Sequence, residues 1–157
     1  MKSGIPLGYM LSSSRRVFKN QMTSEFRKNN ICLTFEQYVI LKLLEMNAGF
    51  IQQDLVERLQ TDKSIIVRQI NCLLENNYVV TIPNQEDKRK KNFALTTLGA
   101  SILGLMKEIA SEVTDKLLSG VPEKELEIFQ KVLVIIQNNC ENEQDISKYN
   151  NDFQKYK

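Results

Sequence analysis

The chain has 157 residues, 42% of them hydrophobic and 25% charged, with a formal net charge of +2. That balance suits one globular domain with a real core and excludes a chain disordered throughout. The lack of histidine removes the commonest general base and the commonest metal ligand, which excludes a His-dependent hydrolase and a typical zinc site.

The first predicted element is a helix over 7–28, where Met10, Ser14, Phe18, Met22 and Phe26 recur every four residues and Leu7, Leu11 and Val17 widen the stripe. Asn29 and Asn30 end it. Thr34, with Gln37 three positions on, forms a capping-box pattern that opens a second helix carrying Tyr38, Leu41 and Leu44, which stops near Asn47-Ala48-Gly49. A short helix over 52–59 follows, and then one over 63–76 capped by Thr61 or Asp62. The period changes at Tyr78-Val79-Val80-Thr81-Ile82, a strand that Pro83 is expected to stop. A charged loop leads to a returning strand, 92–96, so the unit is a β-hairpin with a basic tip. Beyond it, Ile102, Leu105, Met106, Ile109, Val113 and Leu117 predict a helix to about Ser119. Gly120-Val121-Pro122 breaks the chain before a last helix with Leu126, Phe129, Val132, Leu133 and Ile136. From Glu141 onward the chain reads as a polar tail.

Two short helices joined by a tight turn and followed by a hairpin give a winged helix-turn-helix layout. The expected fold class is mainly α with a small β-hairpin wing. No apolar run approaches the ~20 residues needed to span a bilayer, and residues 1–10 lack a sustained apolar stretch, so a cytoplasmic protein with no membrane partner is expected. The three cysteines, Cys32, Cys72 and Cys140, have no CxxC spacing, and an odd count argues against a disulfide framework. Neither a GxxxxGK[ST] nor a GxGxxG loop is present, and no acid/base pair stands in a catalytic context, so neither an enzyme nor a cofactor is expected.

Charge is uneven. Residues 1–28 carry six cations against one carboxylate, and the hairpin tip carries Lys88, Arg89, Lys90 and Lys91. Local basic patches bind phosphate even on a near-neutral protein. On the helix over 63–76, steps of about 100° per residue place Ile66, Ile70, Leu73 and Leu74 on one side. Ser64, Arg68, Asn71 and Glu75 fall opposite, with Ile65 and Cys72 on a flank. Such an outer face offers a cation and short polar groups to base edges and phosphates: Arg68 to guanine or phosphate, Asn71 to adenine, Ile65 to a thymine methyl. Any amphipathic surface helix has a polar face, so the helix alone does not carry this reading. The protruding basic tip adds to it, because the negative potential of the minor groove attracts arginine. Asp87 would stiffen the tip by pairing with a nearby cation.

Four stretches, in this order and spacing, resemble the MarR family: Leu33-Thr34-Phe35-Glu36-Gln37-Tyr38, Asp62 to Ile70, Asp87-Lys88-Arg89, and Leu95-Thr96-Thr97-Leu98-Gly99. The resemblance extends to about Cys140. It implies a dimeric transcriptional regulator, a repressor of a palindromic double-stranded DNA operator released by a small aromatic effector. It maps Ser64, Ile65, Val67 and Arg68, with Asn71 beside them, to groove reading. Arg89, between Lys88 and Lys90, maps to the wing arginine and Asp87 to its ordering partner. It divides the chain into dimerisation helices over 1–33 and 99–140, a winged helix-turn-helix region over 34–98, and a tail over 141–157. The stripes at 7–28, 102–117 and 126–136 would then supply the dimer interface. An effector pocket would draw on Arg16, Phe18, Met22, Tyr38 and Met46. The family often has threonine where Ile65 and Val67 stand, a cation at Cys72 and glycine at Asn77, which bears on the target sequence. Two alternatives are a winged-helix protein–protein module without DNA binding and a thiol-based redox-sensing regulator. For the second, Cys32 reads as a small buried residue and Cys72 as a flank position near DNA.

Overall fold

The computed structural model describes residues 6–85 and 87–140. The polar tail over 141–157, residues 1–5 and Glu86 of the hairpin tip lie outside the described residues. The order is α1 (Leu7–Lys28), α2 (Phe35–Met46), α3 (Gln52–Leu59), α4 (Lys63–Glu75), β1 (Val79–Pro83), β2 (Lys91–Leu95), α5 (Thr97–Leu117) and α6 (Glu123–Cys140). None of these helices is long and apolar enough to cross a membrane. The chain divides into two compact units, one ending at Leu117 and the other beginning at Leu118.

The helix ends follow from local chemistry. Asn30 adopts φ 59°. The Ile31 N–H then donates to Phe26 O at 2.9 Å and the Asn30 N–H to Arg27 O at 3.0 Å. The same pair of bonds closes α4, where Asn77 has φ 57° and Tyr78 N–H reaches Leu73 O at 2.9 Å. Asparagine tolerates this left-handed conformation better than other side chains with a Cβ, so it does here what glycine commonly does. At the start of α2 the Gln37 N–H donates to Thr34 Oγ1 and the Thr34 N–H donates to Gln37 Oε1 at 2.8 Å. Gln37 is buried, and this bond satisfies its oxygen.

In the first unit α1 and α5 pack on α2, α4 meets α2, α3 and β1, and α3 meets β2. Phe26, Ile40, Leu41, Leu55, Leu73, Leu103 and Met106 are fully buried at the centre. The α5 stripe is largely spent within the chain. Leu103, Met106, Ala110 and Val113 are buried, whereas Leu105 and Leu117 face outward. The sequence reading centred this face near Ile102 and so took in Leu105, whereas packing against α1 and α2 turns the buried face toward Leu103, about 200° around the helix from Leu105.

Cys32 is exposed, contrary to the burial expected for it. The link from α1 to α2 is non-helical there, and its side chains alternate: Ile31 and Leu33 enter the core while Cys32 points out. Pro83 does not stop β1 before itself but ends it, paired with Lys91. A proline is tolerated at such an edge because its missing N–H costs no ladder bond. The hairpin also has a third participant. Ile51 forms a bridge with Asn92, and the Phe93 N–H donates to Phe50 O at 3.0 Å.

Gly99 fixes how α5 leaves the hairpin. A Cβ on it would lie 1.9 Å from Tyr78 O, so only glycine permits this approach. Thr96 supports the same junction. Its hydroxyl donates to Asn77 O at 2.6 Å and accepts the Gly99 N–H at 2.9 Å, which caps α5.

In the second unit, Gly120 at φ 84° makes the turn and Pro122 O accepts from Glu125 and Leu126 to start α6. Ile128, Phe129, Val132, Val134 and Ile135 on this helix are exposed.

Candidate nucleic-acid interface

Helix α4 presents the face its periodicity predicts. Ile66, Ile70 and Leu73 are buried, while Ser64, Arg68 and Asn71 are exposed. Ile65, expected to stand exposed on the flank, is half-buried, as are Val67 and Cys72. The turn before α4 is Gln60-Thr61-Asp62, with Gln60 at φ 46°. Asp62 occupies the N-cap without a side-chain capping bond. The Ile65 N–H donates to Asp62 O at 2.9 Å, which leaves the backbone N–H groups of exposed Lys63 and Ser64 open to an anion.

The wing is shaped by hydrogen bonds between its own polar residues. Asn84 Nδ2 donates to Asn92 Oδ1 at 2.8 Å across the hairpin. Asn84 Oδ1 accepts the Asp87 N–H at 2.8 Å. Asp87 Oδ1 in turn accepts the Arg89 N–H at 3.0 Å, and Asp87 O accepts the Lys90 N–H at 2.9 Å. Asp87 thus orders the tip through the backbone, in the manner of an Asx turn, where a pairing with a cation was expected. Lys88, Arg89, Lys90 and Lys91 all remain exposed.

A groove of about 420 Å³ lies between the wing and the starts of α3 and α4, lined by Gln52, Lys63, Arg89, Lys90, Lys91 and Phe93 among others. It holds four cations and no carboxylate. The amide nitrogen of Gln52, on the same groove, is buried and has no hydrogen-bond partner among the described residues. A concave surface with this charge suits a phosphate. Sequence reasoning named the tip cations Lys88, Arg89, Lys90 and Lys91 but passed over Lys63 and Gln52. Lys63 and Gln52 reach the wing only through the tertiary fold, and no local signal announces them.

The five residues expected around an effector do not share one environment. Met22 and Tyr38 are buried in the core. Phe18 meets Phe35 edge-on, with ring centroids 5.6 Å apart. Phe35 and Phe26 flank Tyr38, Arg16 is exposed and Met46 half-buried. None of the five lines the groove above or a second one between α1 and α4.

Residues 33–91 match the model of the MarR family. Over 128 residues, 82% of this chain and 85% of the relative, the sequence is 26% identical to YybA, an HTH-type transcriptional regulator of Bacillus subtilis (strain 168). The fold superposes on a mutant MarR from E. coli complexed with operator DNA with a TM-score of 0.77 at 21% identity, covering 84% of this chain and 94% of that one. It superposes on MepR of S. aureus in a DNA complex with a TM-score of 0.76 at 21% identity, covering 86% and 98%.

Proposed function

We propose that this chain, whose residues 33–91 match the MarR family model, is a dimeric regulator of that family that binds duplex DNA with α4 and the wing. The single observation that carries the reading is the pairing of two surfaces on one frame. The outer face of α4 offers Ser64, Arg68 and Asn71, and the Asp87-ordered tip offers Lys88, Arg89 and Lys90. A helix with a cation and short polar groups suits the major groove, and a projecting arginine suits the neighbouring minor groove. Ile65 and Val67, half-buried beside that face, keep enough surface to touch a thymine methyl.

Dimerisation is supported by apolar residues that each unit leaves exposed. Leu7, Tyr9, Met10 and Val17 are exposed on α1, and Ile128, Phe129, Val132 and Ile135 on α6. Stripes of this kind mark interfaces. Within this reading, residues 1–33 and 99–140 carry the dimer contacts and 34–98 the DNA contacts, with α5 also serving the core. The repressor role and its release by a small aromatic ligand rest on the family resemblance. Of the candidate pocket residues, Arg16, Phe18 and Met46 keep accessible surface for such a ligand.

The test is selection of bound sequences from random duplex DNA by the full chain. The expected result is a palindrome with half-sites about one helical turn apart, as two copies of α4 require. Recovery of no enriched sequence, with no affinity for duplex at low salt, would contradict the proposal.

A further inference from the structure

A second groove, of about 640 Å³, runs between α1 and α4, with Lys19, Ser24, Arg27, Glu36, Arg68 and Gln69 among its lining residues. Every lining residue except Ile65 carries a polar or charged side chain, so the groove offers hydrogen bonds to a hydrophilic occupant. Its charge is positive and only partly spent. Lys19 is bound to Glu36, which removes that pair from the balance. Among the described residues, neither Arg27 nor Arg68 forms an ion pair. The Arg27 guanidinium, on a polar groove of positive charge, matches a phosphate, which arginine binds through paired N–H donors.

The position of the groove identifies its occupant. Around the axis of α4, the outward face of Ser64, Arg68 and Asn71 is bracketed by the two grooves. Lys63, on the wing groove, sits roughly 100° to one side, and Ile65 and Gln69, on the α1 groove, sit roughly 100° to the other. A helix lying in the major groove has a sugar-phosphate backbone along each of its flanks, because that groove is about 12 Å wide. One strand then falls to Lys63 and the wing cations, and the other to the α1 groove.

We propose that the groove between α1 and α4 seats a backbone phosphate of the bound duplex, held by Arg27, while Arg68 at the groove's edge is left to the bases. Helix α1 is thereby a DNA-contacting element as well as a dimerisation helix. The inference rests on the DNA-binding reading above and adds to it a contact from outside the winged region. Phosphate is the chemistry recognised, and the duplex rather than a free anion supplies it.

The experiment compares the full chain with Arg27→Gln and Lys28→Gln, measuring affinity for a selected duplex across a salt series. Lys28 carries the same charge on the neighbouring turn position but pairs with Glu25 at 2.7 Å and does not line the groove. Arg27→Gln is expected to weaken binding roughly tenfold and to reduce the slope of log affinity against log salt by about 1. Lys28→Gln is expected to leave both unchanged. Equal and full affinity for the two variants, while Arg89→Ala weakens binding, overturns this inference and leaves the DNA-binding reading standing. Loss of affinity in none of them overturns both. Inorganic phosphate titrated into the DNA-free chain at constant ionic strength separates the two sources. If Arg27→Gln abolishes phosphate binding yet keeps full duplex affinity, the groove serves a small anion and the assignment is wrong.

Discussion

Single residues set the geometry on which the interface depends, and Gly99 is the sharpest case. It lies where α5 crosses the start of the hairpin, and a methyl group there would collide with the Tyr78 carbonyl. The carbonyl belongs to the backbone next to β1, so neither side can yield without moving the wing. Gly99→Ala is expected to cost about 3 kcal/mol, read as a drop in the denaturation midpoint of the purified chain. The glycine was visible in sequence as the end of the Leu95-Thr96-Thr97-Leu98-Gly99 stretch, but the reason for it was not, because the clash involves a residue 21 positions upstream. Asn30 and Asn77 were more legible. A residue that tolerates the left-handed conformation, placed just after an apolar period stops, announces a helix end from sequence alone.

Elements are held in register by a few polar contacts at their ends. Glu36 in the first turn of α2 ties to Lys19 on α1. Burial pushes the Glu36 carboxyl up, but the Lys19 hydrogen bond, the backbone N–H at its own position and the Thr34 hydroxyl together outweigh it, leaving it below its usual value of 4.5. A carboxylate held low in the folded chain stabilises it above the unfolded value, and that contribution disappears as pH falls below 4.5 through the folded value. Glu36→Gln should therefore lower the melting temperature at pH 7 and lower it less at pH 3, as thermal melts at the two values would show. A penalty of equal size at both would place the role of Glu36 in packing instead. Element types and order were all legible, since apolar period and capping chemistry are local. The bridge from Ile51 to Asn92 was not, because one residue pair leaves no periodic trace.

At the scale of the molecule, the sequence showed three apolar stripes, and the structure distributes them differently. The α5 stripe mostly closes the core of its own unit, while much of the apolar surface on the N-terminal half of α1 and on α6 stays exposed. Periodicity gives the existence of an apolar face, not what covers it. Replacing Phe129 and Ile135 on α6 with aspartate should shift the chain from dimer toward monomer in sedimentation, since charges cannot be buried there without a counterion. An unchanged dimer would move the interface elsewhere. The exposed Cys32 and the two grooves beside α4 were equally beyond reach from sequence, because each depends on how separate segments meet.

The central claim, that α4 and the wing together read duplex DNA, is tested most directly by equilibrium binding of the full chain and its Arg68→Ala and Arg89→Ala variants to a selected duplex and a scrambled one. The expected result is that Arg68→Ala costs about 1–3 kcal/mol and narrows the gap between the two duplexes, while Arg89→Ala weakens both and lowers the salt dependence. Wild-type affinity in both variants, or no preference between the duplexes in the unaltered chain, would contradict it.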